Sequence, residues 1–132
     1  MDTQTFRAHA FKALHERAGA FVIANPWDAG SAKMLAALGF EALATTSAAW
    51  RFPLGVRMRR GQLAERYAGK RAGIVLATTL PVAADLENGF AHSPAGCAEA
   101  ILRAAEVGLV GGSIEDASGH ADDPIYASPR RR

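Results

Sequence analysis

Two acidic side chains stand directly after an apolar run in the second half of the chain. Asp85 and Glu87 lie at the end of the run from Leu80 to Leu86, with one residue between them. In a regular strand both would point to the same side, because side chains alternate between the two faces of a sheet. Glu115 ends the next apolar run, and carboxylates that meet around one point repel each other unless a cation lies among them. Oxygen-only ligation suits Mg2+ or Mn2+, so the acids are a candidate metal site with Mg2+ as the predicted ion.

The same acids have a second interpretation. Loop carboxylates commonly cap the helix that follows them or pair with a nearby arginine. The hydroxyl-rich stretch Thr45, Thr46 and Ser47 follows an earlier apolar run, and it is open to the same two interpretations, as a ligand-binding loop or as ordinary turn capping. For Asp28 we expect a helix cap or a loop brace rather than a catalytic group. Spacing alone leaves the roles of the acids and of the hydroxyls open.

The elements that must position these side chains alternate between helices and strands. Thr3 or Thr5 is a candidate cap for a first helix, Ser31 opens a helix that Gly39 closes, and Ser93 with Pro94 begins a helix that Gly108 ends. Apolar runs predict four strands, at Phe21 to Ala24, Phe40 to Ala44, Leu80 to Leu86 and Leu109 to Ile114. Strands that are apolar on both faces and alternate with helices indicate parallel pairing, so the predicted class is α/β with four βα units.

The position of the polar residues favours a β/α barrel. They gather just after the carboxyl ends of the predicted strands, which is the end where barrels of this class carry their chemistry. A doubly wound sheet would also bind ligands at strand ends, but no G-x-G-x-x-G or Walker loop follows the first strand. A nucleotide-binding domain is therefore the weaker prediction.

Composition limits the class of protein. The 132 residues are 49% hydrophobic and 21% charged, which is typical of one globular domain. The net charge is only +2, and its basic residues concentrate in 51–71 and 130–132, so we predict no nucleic-acid partner. Cys97 is the single cysteine and has no internal disulfide partner, which fits a reducing cytoplasm. No apolar run approaches the roughly 20 residues of a membrane span, so we predict no membrane partner.

Three segments, taken together and in order, resemble the isocitrate lyase/phosphoenolpyruvate mutase superfamily. They are FVIANPWDAGSAKMLAALGFEALATTSAAW, LPVAADLENGF and GLVGGSIEDASG. The resemblance implies a (β/α)8 (TIM) barrel, of which this chain would supply about the first four units as a single incomplete domain over residues 1–132. It also implies cleavage or formation of a C–C or C–P bond through an enolate of a small α-keto acid or related carboxylate.

The resemblance assigns roles to particular residues. Asp85, Glu87 and Glu115 would hold Mg2+, with Mn2+ as the other possibility, and Asp85 would also be catalytic. The substrate would be bound by Thr45, Thr46, Ser47, Trp27 and Asn88.

The sequence departs from the family pattern in three places. Met58 stands where the family has an aspartate near the metal, and a thioether is a poor ligand for a hard cation. Residues 51–78 are atypical and residues 127–132 form an aberrant tail, in a chain about half as long as the roughly 250 residues of a typical barrel. A Lys-Lys/Arg-Cys-Gly-His segment is absent, which disfavours isocitrate and methylisocitrate lyases. The alternative prediction is an inactive truncated fragment or an interaction module of the family, with a possible homo-oligomer.

Overall fold

The computed structural model describes residues 2–46 and 72–126. The described strands are β1 (Ile23–Ala24), β2 (Ala42–Thr45), β3 (Val82–Asp85) and β4 (Gly111–Ser113). The helices are α1 (Thr3–Glu16), α2 (Ala29–Ala37) and α3 (Pro94–Glu106), and residues 72–77 are also helical. Most of the atypical stretch, including Met58, and the tail from residue 127 lie outside the described residues.

All four described strands are parallel and pair in chain order, β1-β2-β3-β4. A doubly wound sheet would reverse its strand order partway across, whereas a barrel adds each strand beside the one before it. The described sheet has no such reversal. The predicted α/β class is confirmed, as a partial TIM-barrel-like fold.

The hydrophobic core lies between one face of the sheet and the helices. Leu43, Val82 and Ala84 contribute from the strands, and Ile74 and Ala104 pack against them from the helical layer. Leu43 and Ile74 are completely buried. Truncating a buried leucine to alanine typically destabilises a protein by about 2–5 kcal/mol, so this layer holds β2 and β3 in place.

Helix α1 covers the amino-terminal end of the sheet through two long polar side chains. The Gln4 amide donates to the carbonyls of Ala105 (2.7 Å) and Leu109 (3.1 Å). The Arg7 guanidinium donates to the carbonyls of Thr78 (2.6 Å) and Val75 (3.3 Å). Ala105 and Val75 lie in the last turns of their helices, where carbonyls lack the regular intrahelical donor four residues later. Helix α1 therefore satisfies backbone groups of its neighbours at the end of the sheet opposite the predicted site.

Helix starts were predicted with mixed success. Ser93 is the N-cap of α3 and Pro94 opens it, as predicted. The predicted cap of α1 at Thr3 or Thr5 is wrong, because Asp2 is the N-cap and its carboxylate accepts the Thr5 N–H at 2.9 Å. Helix α2 begins at Ala29 instead of Ser31. Its N-cap is Asp28, three residues before Ser31, and these two residues form a reciprocal capping box. Asp28 is thus a helix cap, as expected.

Helix ends and strand lengths follow the predicted pattern only in part. Gly39 and Gly108 have φ of +88° and +89° directly after their helices, the left-handed stop that the sequence predicts. Each strand is shorter than its apolar run, and β3 ends at Asp85 rather than Leu86. Over residues 2–46 and 72–126, no helix is long and apolar enough to cross a bilayer.

Replacing Asp28 with alanine should destabilise the protein in a pH-dependent way. Hydrogen bonds from the Ser31 N–H and hydroxyl lower the pKa of Asp28 below its ordinary value of 3.8. Folding therefore favours the ionised carboxyl, so this contribution is complete above the ordinary pKa and disappears as the pH falls through the lowered one. We expect Asp28→Ala to melt a few degrees below wild type at pH 7, with a gap that narrows in acid.

Thermal unfolding followed by circular dichroism from pH 7 to pH 2.5 measures this gap. Asp28→Asn is the matched control, because it keeps an oxygen acceptor at the cap and does not titrate. Its melting temperature should stay above that of Asp28→Ala by a constant amount. A wild-type gap to Asp28→Ala that is unchanged across the whole pH range would contradict the assignment.

Candidate functional site

A cavity of about 450 Å3 lies on the face of the sheet that is turned away from the core. At its upper, carboxyl-terminal end it is lined by the polar residues Asn25, Thr46, Asp85 and Ser113. Phe11 and His15 of α1 line the cavity as well, and the Phe11 ring fills the space where Gly111 has no side chain. We call this space the inner cavity.

The strand register explains why the inner cavity is open. Ala44, Ala83 and Gly111 are side by side in the ladder, and Asp85 lies beside Ser113 one step further along the inner face. Since neighbours such as Val82 and Ala84 pack in the core, alternation turns Ala83 and Asp85 toward the cavity. Small side chains therefore form its wall, and the carboxylate of Asp85 stands at its polar end.

The main chain fixes the orientation of Asp85 directly after β3. Its Oδ1 accepts the N–H of Glu87 at 2.9 Å, which closes a tight turn. Glu87 has φ of +49°, in the left-handed region. The strand predicted to reach Leu86 ends at Asp85, because the Asp85 side chain caps a turn there, so the condition of a regular strand through Glu87 is not met. Alternation along a strand does not govern the direction of the Glu87 side chain.

The next residues of this turn rest on helix α3. Gly89 is buried with φ of +71°, and a Cβ at this position would lie 2.7 Å from Cys97 Sγ. The Cys97 thiol lies 3.4 Å from the carbonyl oxygen of Asn88. Close approach and a positive φ together require glycine here. Asn88 is thus held at the start of α3, next to the acidic turn.

Glu115 approaches the same turn through its backbone. Its N–H donates to the carbonyl of Glu87 at 2.8 Å, while its side chain is exposed. Among residues 2–46 and 72–126, no three His, Cys, Asp or Glu side chains lie close enough to share a metal ion. The structure joins the segments carrying Asp85, Glu87 and Glu115, but only Asp85 of these acids lines the inner cavity.

The predicted substrate-binding residues occupy different surroundings. Thr46 lines the inner cavity. Thr45 also borders the inner cavity, but it is 1% exposed and pairs with Ala84, so its side chain turns toward the core, where Oγ1 has no hydrogen-bond partner among the described residues. Trp27 is 63% exposed and does not line the inner cavity. Ser47 lies outside the described residues.

Two structural features of the site region were not predicted from the sequence. Asn25 donates to the carbonyl of Ala44 at 2.8 Å, which braces the end of β1 against β2. Further along the same edge, His92 Nδ1 and the Tyr126 hydroxyl form a hydrogen bond, and the ring of His120 stacks on that of His92. These two partners are 34 residues apart, so no local sequence pattern indicates their contact.

Known proteins resemble this chain in sequence and in fold. The sequence model of the phosphoenolpyruvate phosphomutase family matches residues 11–130. A crystal structure of a candidate lyase/mutase from Burkholderia cenocepacia J2315 is 55% identical, with a TM-score of 0.88 over 96% of this chain and 45% of that one. A candidate phosphonomutase from the same organism is 31% identical, with a TM-score of 0.79 over 95% of this chain and 48% of that one.

A more distant structure and a curated sequence extend the comparison. Oxaloacetate acetylhydrolase shares the fold at 20% identity, with a TM-score of 0.74 over 92% of this chain and 43% of that one. An uncharacterized protein of Mycobacterium tuberculosis strain H37Rv is 32% identical over 127 residues, covering 92% of this chain and 46% of that protein. The chain spans a little under half the length of the relatives it matches. On the family match, the chain belongs to the phosphoenolpyruvate phosphomutase family.

Proposed function

We propose that this chain carries the metal-binding and carboxylate-binding part of a lyase or mutase site. The reaction is cleavage or formation of a C–C or C–P bond beside a carbonyl, and it proceeds through an enolate. The substrate is a small α-keto acid or a related carboxylate, and the cofactor is Mg2+, with Mn2+ as a substitute. The observation that carries the proposal is the Asp85 carboxylate, which is held at the polar end of the inner cavity.

The donor atoms around Asp85 fit a hard divalent cation. Besides its carboxylate, the same end of the cavity is lined by Thr46 and Ser113, which bear hydroxyls, and by the amide of Asn25. Mg2+ is usually held by one or two carboxylates together with several waters. A cavity of about 450 Å3 has room for such waters beside a small substrate. A site of this kind does not require three converging acids.

The residues of this chain contribute the orientation of the carboxylate and an apolar wall beneath it. The Glu87 N–H fixes one oxygen of Asp85, so the carboxylate is oriented before a ligand arrives. Ala44 and Ala83 line the cavity beneath it with methyl groups, so their side chains offer no competing donors or acceptors to a ligand at the polar end. When bound, the cation would supply Lewis-acid stabilisation of negative charge on the carboxylate and carbonyl oxygens.

The relatives support small carboxylates as ligands. Solved structures with the same fold include a phosphoenolpyruvate phosphomutase, a 2,3-dimethylmalate lyase, and an oxaloacetate acetylhydrolase in complex with its product oxalate. Oxalate has two adjacent carboxylate groups and is planar like an enolate of pyruvate. It is therefore a suitable probe for the inner cavity.

Asp85→Asn should weaken oxalate binding in the presence of Mg2+ by roughly a hundredfold, because the amide removes the charge that holds the cation. Isothermal titration of the full chain with oxalate, with and without 5–10 mM Mg2+ (about the range that saturates weak sites), measures the loss. Glu106→Gln is the matched control, since this exposed acid lies at the end of α3 away from the cavity. A folded wild-type protein without saturable, Mg2+-dependent oxalate binding would overturn the proposed function.

Substitutions of the neighbouring residues Thr45 and Thr46 should have different effects, one on stability and the other on oxalate binding. Thr45→Val should raise stability by about 1 kcal/mol, because it removes a buried hydroxyl without a partner and preserves shape. Thr46→Val should leave stability nearly unchanged and weaken oxalate binding severalfold, because Thr46 lines the inner cavity. Urea unfolding and oxalate titration of both variants test this. Weaker oxalate binding in Thr45→Val alone would show that the Thr45 hydroxyl, and not that of Thr46, contacts the ligand.

A second candidate function, an interaction module without catalysis, rests on apolar surface beside β4. Ile101 and Leu102 of α3 are 51% and 61% exposed, and Ile114 after β4 is 46% exposed. Ile101 and Ile114 line one largely apolar pocket beside β4, and contiguous apolar surface often marks an interface. Sedimentation velocity across a hundredfold range of protein concentration distinguishes the two. Self-association with no oxalate binding would favour the module, whereas oxalate binding by a monomer would favour the site alone.

A further inference from the structure

Two loops at the carboxyl edge of the sheet carry the candidate acids. The β3 loop, residues 86–93, follows Asp85 and contains Glu87, and the β4 loop, residues 114–126, contains Glu115. Near the strands the two loops are joined by backbone hydrogen bonds, from the Leu86 N–H to Ser113 (3.0 Å) and from the Glu115 N–H to Glu87 (2.8 Å). At their far ends they are joined again, by His92 and the hydroxyl of Tyr126.

The β4 loop presents Tyr126 on a fixed base. Ala117 and Ile125 form an antiparallel bridge, and the Ser118 N–H donates to the carbonyl of Pro124 at 2.8 Å. The Tyr126 N–H donates to the carbonyl of Asp116 at 2.9 Å. These bonds fold the loop back on itself and return Tyr126 to the residue next to Glu115. A force on the Tyr126 side chain is therefore transmitted to the backbone around Glu115.

Two residues of the β3 loop have strained backbone conformations that contacts with the surroundings must hold in place. Glu87 and Phe90 both have positive φ, at +49° and +55°. Non-glycine residues in this region are strained by about 1 kcal/mol or more each, and such conformations persist only where the surroundings hold them. Asp85 and Glu115 hold the start of the loop, and its middle rests on Cys97 of α3. The bond from His92 to Tyr126 adds a tie to the β4 loop at the far end, just before α3 begins.

We propose that the contact between His92 and Tyr126 is a latch that positions the acidic turn for ligand binding. The latch holds the β3 loop in its strained conformation and so fixes Glu87, whose N–H orients the carboxylate of Asp85. His120 stacks on His92, with ring centroids 5.7 Å apart and planes 26° apart, and limits the rotation of that ring. His92 and Tyr126 are positioning residues, and their effect on cation and oxalate affinity rests on the proposed function.

The test uses the full chain and removes each partner of the latch separately. Tyr126→Phe deletes only the hydroxyl, and His92→Leu deletes the ring nitrogens. Each should weaken Mg2+-dependent oxalate binding by about tenfold. Losses of this size are usual for residues that orient a metal-binding side chain without contacting the metal themselves. The double variant should be no worse than either single one, since both remove the same contact. His92→Asn can still bond the hydroxyl and should restore most of the affinity.

Two controls distinguish positioning from general destabilisation. His9→Leu replaces an exposed histidine of α1 and should bind oxalate as wild type does. Melting temperatures without Mg2+ should agree among wild type, Tyr126→Phe and His9→Leu within a few degrees. Additive losses in the double variant, or wild-type affinity in folded Tyr126→Phe, would refute the latch.

A measurement on the protein without oxalate or Mg2+ tests the latch independently of the proposed function. Hydrogen exchange at the Glu87 and Glu115 amides should accelerate about tenfold in Tyr126→Phe, while exchange within α1 stays unchanged. If wild type binds no oxalate but these amides accelerate, the proposed function fails and the latch stands as a structural device. If the two amides exchange as in wild type, the latch is wrong whatever the protein binds.

Discussion

The hydrogen bonds between four parallel strands, taken in chain order, are the constraint on which the rest of this structure depends. Parallel pairing brings the carboxyl ends of all described strands to one edge, so residues as distant as Asn25, Asp85 and Ser113 line one cavity. Register then decides which side chain belongs to which face. Shifting a strand by one residue would exchange Ala83 for Val82 in the cavity wall and would turn Asp85 into the core. The burial of Leu43 and Val82 against the helices opposes such a shift, and the hydrophobic core therefore also fixes the site.

Neighbouring residues at the strand ends show how strongly this constraint acts. Thr45 and Thr46 both border the inner cavity, yet the Thr45 side chain is buried toward the core, whereas strand alternation turns Thr46 toward the cavity. The buried Thr45 hydroxyl without a partner among the described residues reduces stability. The turn at Glu87 also reduces stability, because its backbone departs from the favoured conformation. This turn directly follows Asp85, which lines the inner cavity. Local departures of this kind are commonly concentrated at functional sites.

The sequence predicts the architecture better than the details of the site. Apolar runs and capping residues identify the four strands and the starts and ends of α2 and α3 to within a few residues, since these depend on local chemistry. The apolar run from Phe21 is longer than β1 because Phe21 packs on the ring of His15, with centroids 4.9 Å apart, instead of pairing with β2. The turn at Glu87 and the contact between His92 and Tyr126 are not predictable in this way. The first depends on a side chain capping its own backbone, and the second on loops brought together by the sheet.

The types of side chain in the inner cavity restrict the chemistry that this part of the chain can support. Its polar end contains carboxylate, hydroxyl and amide groups, and the one cysteine lies beneath Gly89 at the start of α3 rather than in the cavity. Nucleophilic catalysis by a thiol therefore has no basis in the described residues, since Cys97 packs against the backbone of the turn. Oxygen donors on a rigid sheet edge are suited instead to a hard cation and to the anionic oxygens of a small acid. The same donor set serves cleavage and rearrangement equally, because both pass through negative charge on the same oxygens, so the choice between them depends on groups that meet the rest of the substrate.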